Sequence, residues 1–550
     1  MILMKKKSFK NWFVRVFARD IDLSINSLVY LFFSLLAIFL VIEAFLYKYV
    51  VLTEMVSVIN IEIGVILIVL AFSFLTSVVL VDKIKKRTRH FNLALLFCII
   101  GIFFSAFSEV VLYYIGLLIV LITVPQLIAL WFTILVHETN LLNRGRITAF
   151  LLASCSLLGW VGFIFVSFEF LYNYFFILVS ILLVIIFWCS RKYKYIETEE
   201  RLKSDKKFFK IIFEKQFFRY SSSFTILSFI LGDLLARYSF DVDFFVFFLA
   251  STIYLIAAGC FLDNIGRKTS IILGILVLSF FLISYGSYID TPIIFGIPRK
   301  IFLSIHYGLS LLPLILAIQT ISGDFSTERG NLKYRGRING LFLALMFLGI
   351  AIGFTFSRWI NGLYTLYPEL DNIIPNFPNL LNGFVLVILL VWMMAMKEFL
   401  ISKETDWPSA MINLYIFSIH GVGLYYHSFE KSPEGEEKEE KREMDEDLIS
   451  GALTGVVAII SEITQSKQQL RKIDKEGYHL LFSFGKYHIA CLISNMDLPV
   501  LLKKLDEFSK DFEIKFGKDL KNFVGNVSPF DSTKYLIDKY FNQKYGFFFK

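Results

Sequence analysis

The residues able to do chemistry are concentrated in two short stretches. The first is Gly259-Cys-Phe-Leu-Asp263-Asn-Ile-Gly266-Arg267-Lys268, a carboxylate set between two glycines and followed by two cations, with long apolar runs on both sides. The second, Leu80-Val-Asp82-Lys83-Ile-Lys-Lys-Arg87, keeps the aspartate and the basic run but has Val78 and Lys85 where the glycines stand. A further pair, Arg144-Gly145-Arg146-Ile147 and Arg335-Gly336-Arg337-Ile338, opens two later apolar runs. Carboxylates and cations so placed form and break ion pairs. Nothing in them cleaves a bond, so the chain is read as a non-enzyme with no cofactor and no metal.

A second set lies inside the apolar runs: Glu43, Glu62, Gln126, Asp233, His306 and Gln319. An ionisable group in hydrocarbon costs at least about 2.5–3.5 kcal/mol, which makes such residues candidates for substrate or proton binding. Glu43 and Arg237 are near enough to water to snorkel. Asp233 and Arg237, four apart, can pair on one helix face. Glu62 stands in an otherwise apolar run and would take up a proton or recognise a cation. Pro125, beside Gln126, is expected to interrupt its run near mid-depth. The centres of most runs are Phe, Leu and Ile, which suits an amphipathic or hydrophobic solute better than a large sugar or a polyanion.

The elements that must position these residues are membrane helices. The chain of 550 residues is 56% hydrophobic and 19% charged, against roughly 45–50% and about 25% in soluble domains. Runs of spanning length lie near 25–47, 57–81, 91–107, 110–136, 147–168 and 171–189, then 220–238, 243–262, 269–288, 301–321, 338–357 and 381–400. Lysine and arginine gather in alternate loops, which places both termini in the cytoplasm of a multi-pass cell-membrane protein. The same bias accounts for the net charge of +8 without nucleic acid. The run 25–47 is long enough to span and is read as an uncleaved first helix after a cytoplasmic segment 1–24. The five cysteines have no CxxC spacing. Asp82 and Asp263 lie 181 residues apart, and Arg144 and Arg335 lie 191 apart. The chain therefore reads as two related halves, 25–190 and 220–401, laid head to tail. The basic segment 191–219 joins them, either as a solvated linker or, through its lysines and Phe208 and Phe209, as an amphipathic helix on the inner leaflet.

The stretch 259–268 resembles the signature loop of the major facilitator superfamily: Gly, any residue, Leu, a small residue, Asp, Arg, any residue, Gly, then basic residues. Gly259, Asp263, Gly266, Arg267 and Lys268 are in register, while Phe261 replaces the Leu and Asn264 the first Arg. The resemblance implies an all-α membrane protein of twelve transmembrane helices in two six-helix halves that moves a small solute by alternating access. It places Asp82 at the start of the eleventh helix, near Gly336, and Asp263 at the start of the fifth, near Gly145, where a helix dipole favours a carboxylate by roughly 0.3–1 kcal/mol. With Lys83, Arg87, Arg144 and Arg335, these contacts would close the cytoplasmic side and break when the halves rock. Coupling to protons is an open alternative to facilitated movement.

Residues 402–550 read differently, as a small α/β domain. Strands over 412–418 and 422–429 form a hairpin at His420-Gly421. An acidic insert, 430–446, follows. A helix carries Leu448, Leu453, Val456, Ile460 and Ile463, with Gly451 and Gly455 spaced for close packing. A second hairpin spans 478–484 and 487–493, and helices cover 498–516 and 532–541. This order resembles the longin and roadblock domains, which implies an adaptor or regulator whose partner is a protein such as a small GTPase. Two readings of the whole remain: a transporter with a regulatory tail, or a membrane sensor or scaffold signalling through that tail.

Overall fold

The computed structural model describes residues 23–51, 56–84, 86–105, 110–166, 172–190, 207–238, 243–287, 293–294, 296–327, 331–367, 377–396, 398, 407–429, 448–456, 458–459, 462, 470–475 and 477–542. They fall into two compact units that divide between Leu400 and Ile401.

The first unit is helical. Its long helices are α1 (Ile25–Val51), α2 (Val56–Val81), α3 (Arg87–Ser105), α4 (Val110–Glu138), α5 (Arg144–Val166) and α6 (Tyr172–Ser190). A short helix, Phe208–Ile212, leads to α7 (Lys215–Tyr238), α8 (Phe244–Asn264), α9 (Arg267–Ser287), α10 (Arg299–Thr327), α11 (Arg335–Leu366) and α12 (Phe377–Met394). These sequences are rich in β-branched and aromatic residues, which are poor helix formers in water. In lipid the helix prevails because it satisfies every backbone polar group within one segment. Large side chains such as Phe72, Phe103, Trp188 and Trp359 face outward. Among the described residues six helices, within α1, α3, α4, α8, α10 and α11, are long and apolar enough to cross a membrane, and shorter apolar stretches lie in α2, α6 and α12.

Several helices differ from their apolar runs. The stretch 259–268 is not a loop: α8 continues to Asn264, and only Ile265 and Gly266 separate it from α9. Gly266 makes that corner with φ of 126°, in the region glycine alone enters freely. Pro125 does not interrupt α4, and Pro313 likewise lies inside α10. Packing neighbours in a bundle re-satisfy the backbone groups a proline frees. Helix α12 ends at Met394 rather than at 400.

The halves meet chiefly along α2 with α11 and α5 with α8, while α11 also lies on α7 and α8 on α10. Glycine sets the closest approaches. A Cβ on Gly353 of α11 would stand 1.9 Å from the Phe229 carbonyl of α7, and one on Gly232 2.1 Å from the Ile350 carbonyl. Rings of Phe217, Tyr220, Phe224, Phe325 and Phe342 fill the space between α7, α10 and α11.

The second unit carries a five-stranded antiparallel sheet. Its strands are β1 (Met411–Ser418), β2 (Gly423–Ser428), β3 (Lys472–Lys475), β4 (Tyr478–Phe484) and β5 (His488–Ser494), in the order β2-β1-β5-β4-β3. Helix α13 (Pro499–Lys521) buries Leu501, Leu505, Phe508, Phe512 and Phe516, and a 3-10 turn over Ser528–Thr533 leads into α14 (Lys534–Tyr540). Strand β3, Lys-Ile-Asp-Lys, is too polar to be read from sequence. It forms as an edge, where charge is an advantage. Over 448–456 the chain is helical, but Leu453 is buried while Leu448 and Val456 are exposed. A Cβ on Gly451 or Gly455 would meet nothing within 4 Å, so these glycines mark no close packing. Ile460 and Ile463 lie outside the described residues.

His488, at the start of β5, is fully buried. Its Nε2 lies 2.9 Å from Ser509 Oγ and its Nδ1 2.9 Å from Glu513 Oε2, with the Phe512 ring alongside. The order Ser, His, carboxylate is that of a hydrolase triad, but Ser509 is as closed to solvent as the imidazole. The set braces the β4–β5 hairpin against α13.

Two outcomes follow from this packing. Gly353→Ala should lower the thermal unfolding midpoint of the purified protein, since overpacking costs typically about 1–3 kcal/mol. Gly362→Ala on the same helix, where a Cβ would meet nothing, should leave it unchanged or slightly raised. Burial pushes the His488 imidazole below its ordinary value, against the pull of Glu513. Above about pH 6.5 both folded and unfolded forms are neutral there; below it the unfolded chain binds a proton that the folded chain refuses. Amides of β5 and α13, followed by hydrogen exchange in the full-length protein and corrected for intrinsic rates, should lose protection from about pH 6.5 downward until the folded pKa is passed. A His488→Gln variant should flatten that profile.

Candidate functional site

The charged residues of the repeated motifs converge at one end of the bundle. Because α8 stays helical to Asn264, Asp263 projects from its last turn onto the first turn of α5 in the other half. Its Oδ1 accepts from the Gly145 backbone N–H at 3.0 Å and its Oδ2 from the Arg146 N–H at 2.8 Å. Arg146 Nε adds a bond to Oδ2 at 3.1 Å, and Arg267 Nη1 one to Oδ1 at 2.6 Å. Gly145 is required by this approach, since a Cβ there would stand 2.6 Å from Asp263 Oδ1. Gly259, one turn earlier, lets the helices meet: its Cβ would lie 2.3 Å from that of Ala149.

A second carboxylate completes this cluster. Asp324, near the end of α10, binds Arg144 Nη1 through Oδ1 and Arg267 Nε through Oδ2, the latter at 2.8 Å. Asp263, Asp324, Arg144, Arg146 and Arg267 are all buried. The turn after α4 takes further guanidinium N–H groups: Thr139 O accepts from Arg144 at 3.3 Å, Leu141 O from Arg267 at 2.7 Å and Leu142 O from Arg146 at 2.7 Å. The cluster thus ties α5 of one half to α8, α9 and α10 of the other. Buried charges persist when paired and hydrogen-bonded in this way.

The other copy has the same core and fewer partners. Asp82 Oδ1 accepts from the Gly336 N–H at 2.7 Å and Oδ2 from the Arg337 N–H at 3.0 Å, with Arg337 Nε at 3.5 Å. A Cβ on Gly336 would stand 2.6 Å from Asp82 Oδ1. Burial raises the Asp82 carboxyl above its ordinary value, opposed by the two backbone N–H groups and the charges of Arg87 and Arg337. Arg87 is buried, whereas Lys83 is exposed. Arg335 opens α11 beside Gly336. Lys268 points elsewhere, its Nζ donating to the Met394 and Met396 carbonyls at the end of α12, while its N–H donates to Glu398. That is a cation at a helix C-terminus within one half.

The candidates inside the helices do not gather with these residues. Asp233 pairs with Arg237, and Oδ2 also accepts from Asn382 at 2.6 Å, joining α7 to α12 within one half. His306 Nδ1 donates to the Phe302 carbonyl at 2.9 Å, one turn back on its own helix. Gln319 is buried on α10, one turn deeper than Gly323, and Gln126 is half-buried on α4. The side chains of Glu43 and Glu62 lie outside the described residues. A cavity of about 80 Å³ opens between α7, α8, α9 and α10, lined by Leu231, Tyr254, Ile275 and Pro313 among others. It belongs to one half and is apolar.

Sequence reasoning misses Asp324 because it lies beyond the apolar run 301–321. The available signal was Gly323: a small residue beside a carboxylate at the end of an apolar run. A Cβ at Gly323 would stand 2.8 Å from Arg144 Cδ, so the glycine makes room for the guanidinium that Asp324 binds.

No protein-family model matches the chain, and no curated protein sequence does. Solved structures do. The human organic anion transporter MFSD10 (TETRAN) is similar at 14% identity with a TM-score of 0.52, over 67% of this chain and 99% of that one. A variant of the Escherichia coli fucose:proton symporter FucP aligns at 11% identity and a TM-score of 0.48, over 66% and 97%. The likeness to the human protein shows that the helical unit has the fold of the major facilitator transporters.

Removing the Asp324 carboxylate would leave Arg144 and Arg267 buried with too little negative charge. Breaking a buried pair from one side typically costs about 3–5 kcal/mol. Asp324→Asn should therefore lower the thermal unfolding midpoint well below that of Lys83→Gln, an exposed change in the same charged layer.

Proposed function

We propose that the helical unit moves a small solute across the cell membrane by alternating access, with Asp82 and Asp263 as gating contacts. The observation that carries this is the pair of carboxylates, related by the internal repeat, each seated on the first turn of a helix in the opposite half. Both lie at the end that the basic loops assign to the cytoplasm. Gly145, Gly259 and Gly336 allow the close approach; Arg144, Arg146, Arg267 and Asp324 hold one contact and Arg87 and Arg337 the other. Gly266 turns the chain between α8 and α9, and Arg335 and Lys268 stand at helix ends beside these contacts. The fold supports the reading. The Phe, Leu and Ile centres of the helices favour an amphipathic solute, a class that includes the organic anions for which the human neighbour is named. The order of the tail, two strands, a helical segment, three strands and a helix, supports a longin-like regulatory module that binds a protein partner.

Spin labels on Lys86→Cys and Lys333→Cys, both exposed, report the separation of the halves at this end. Cys98, Cys155, Cys260 and Cys491 are buried and will not label; Cys189 is changed to serine. In lipid vesicles the parent protein should give one short distance. The Asp82→Asn/Asp263→Asn variant should add a longer population and slow the uptake of any solute that a thermal-shift screen identifies. Unchanged distances together with unchanged uptake would sink the gating role.

A further inference from the structure

We propose that Lys207–Phe213, the segment ahead of α7, is a contact for the anionic membrane surface, and that Phe208 transmits its seating to the Asp82 contact. One face of the short helix is packed on the bundle: Ile211 is fully buried, and Phe208 and Ile212 lie against the core. The Phe208 ring is 5.5 Å from that of Tyr334, and the Arg337 guanidinium sits 5.5 Å from both ring centres. Arg337 is the residue whose N–H and Nε hold Asp82. The segment is thus two side chains away from the α2–α11 contact.

Among the described residues the other face is exposed. Phe209 is 72% and Phe213 77% exposed, and Lys207, Lys210 and Lys215 are exposed around them. Aromatic rings and lysines on one short surface, at the foot of a membrane helix, are the composition of an interfacial element. The belt continues on its neighbours: Phe218 is exposed on α7, and the Arg219 guanidinium lies 5.6 Å from the ring of Trp392 on α12. The charge selects the occupant. Glu214 is the one acid among residues 207–219, against Lys207, Lys210, Lys215 and Arg219, so the surface is complementary to acidic headgroups. A face one helical turn long is also far smaller than the roughly 1,000 Å² a specific protein interface needs.

The inference rests on the membrane reading of the helical unit, but its test needs no solute and so is independent of whether transport occurs. Hydrogen exchange at Gly336 and Arg337, the amides that donate to Asp82, is measured on the full-length protein in vesicles of phosphatidylcholine and of phosphatidylcholine mixed with phosphatidylglycerol. Exchange should be several-fold slower in the anionic vesicles. Phe209→Ser/Phe213→Ser, changes at exposed positions, should abolish that difference. Lys207→Gln/Lys210→Gln should reduce it, with the residue of the effect less sensitive to salt. Phe208→Ala should speed exchange in both lipids. Equal exchange of the parent protein in the two vesicles, or a lipid effect that survives in the double phenylalanine variant, would overturn the proposal. So would equal protection in detergent, which would assign the exposed face to another part of this chain.

Discussion

The structure at the charged end depends on one arrangement: a carboxylate fully out of water, held by two N–H groups of a helix's first turn and two guanidiniums. A buried carboxylate left unpaired is far more costly than the helix-end attraction is favourable. The contact therefore tolerates no half-formed state. Sliding α8 by one turn against α5 would bring Gly259 rather than Asp263 to the Gly145 and Arg146 amides and strand both arginines. Neighbouring features follow from this requirement. Helix α8 must run on to Asn264 so that the aspartate points sideways; Gly259 and Gly145 must be small so that the helices come close enough; and the chain must then turn sharply at Gly266 to return Arg267 to the same carboxylate. A contact that is either made in full or absent suits the proposed rocking of the halves.

Much of this was legible in the sequence because the membrane removes alternatives. Apolar runs of spanning length in a membrane favour helices, so the helical character and order of the first unit could be read directly, and the two Arg-Gly-Arg openings marked where α5 and α11 begin. What could not be read were the ends. Hydropathy falls wherever charge appears, so the last turn of α8 and the last two turns of α10 looked like loops, although their charges are buried by pairing across the bundle. Asp324 was lost for that reason. In the tail, alternation revealed the two apolar hairpins, whereas β3, with three charged residues of four, had no pattern to reveal. The helix at 448–456 failed in the opposite sense: its leucines recur at helical spacing, yet Leu448 stays exposed. Periodicity says which residues share a face, not whether that face is covered.

The two copies of the contact are unequal, and the inequality has a source in sequence. Carrying the offset between Arg144 and Arg335 back to the first half, Asp324 corresponds to Thr133, whose hydroxyl donates to its own helix at Ala129, and Gly323 to Phe132. The first half has neither the second carboxylate nor the space for a guanidinium beside it. Carrying the offset between the aspartates across, Arg267 corresponds to Lys86, which is exposed. Asp82 is therefore held by two amides and the more distant charges of Arg87 and Arg337, and Arg337 is shared with the rings of Phe208 and Tyr334. Of these two contacts between the halves, α2–α11 has the weaker electrostatic closure. On the proposed gating role, the α2–α11 contact is the one that releases with least electrostatic cost, and the five-residue charge cluster at α5–α8 is the one that holds longest.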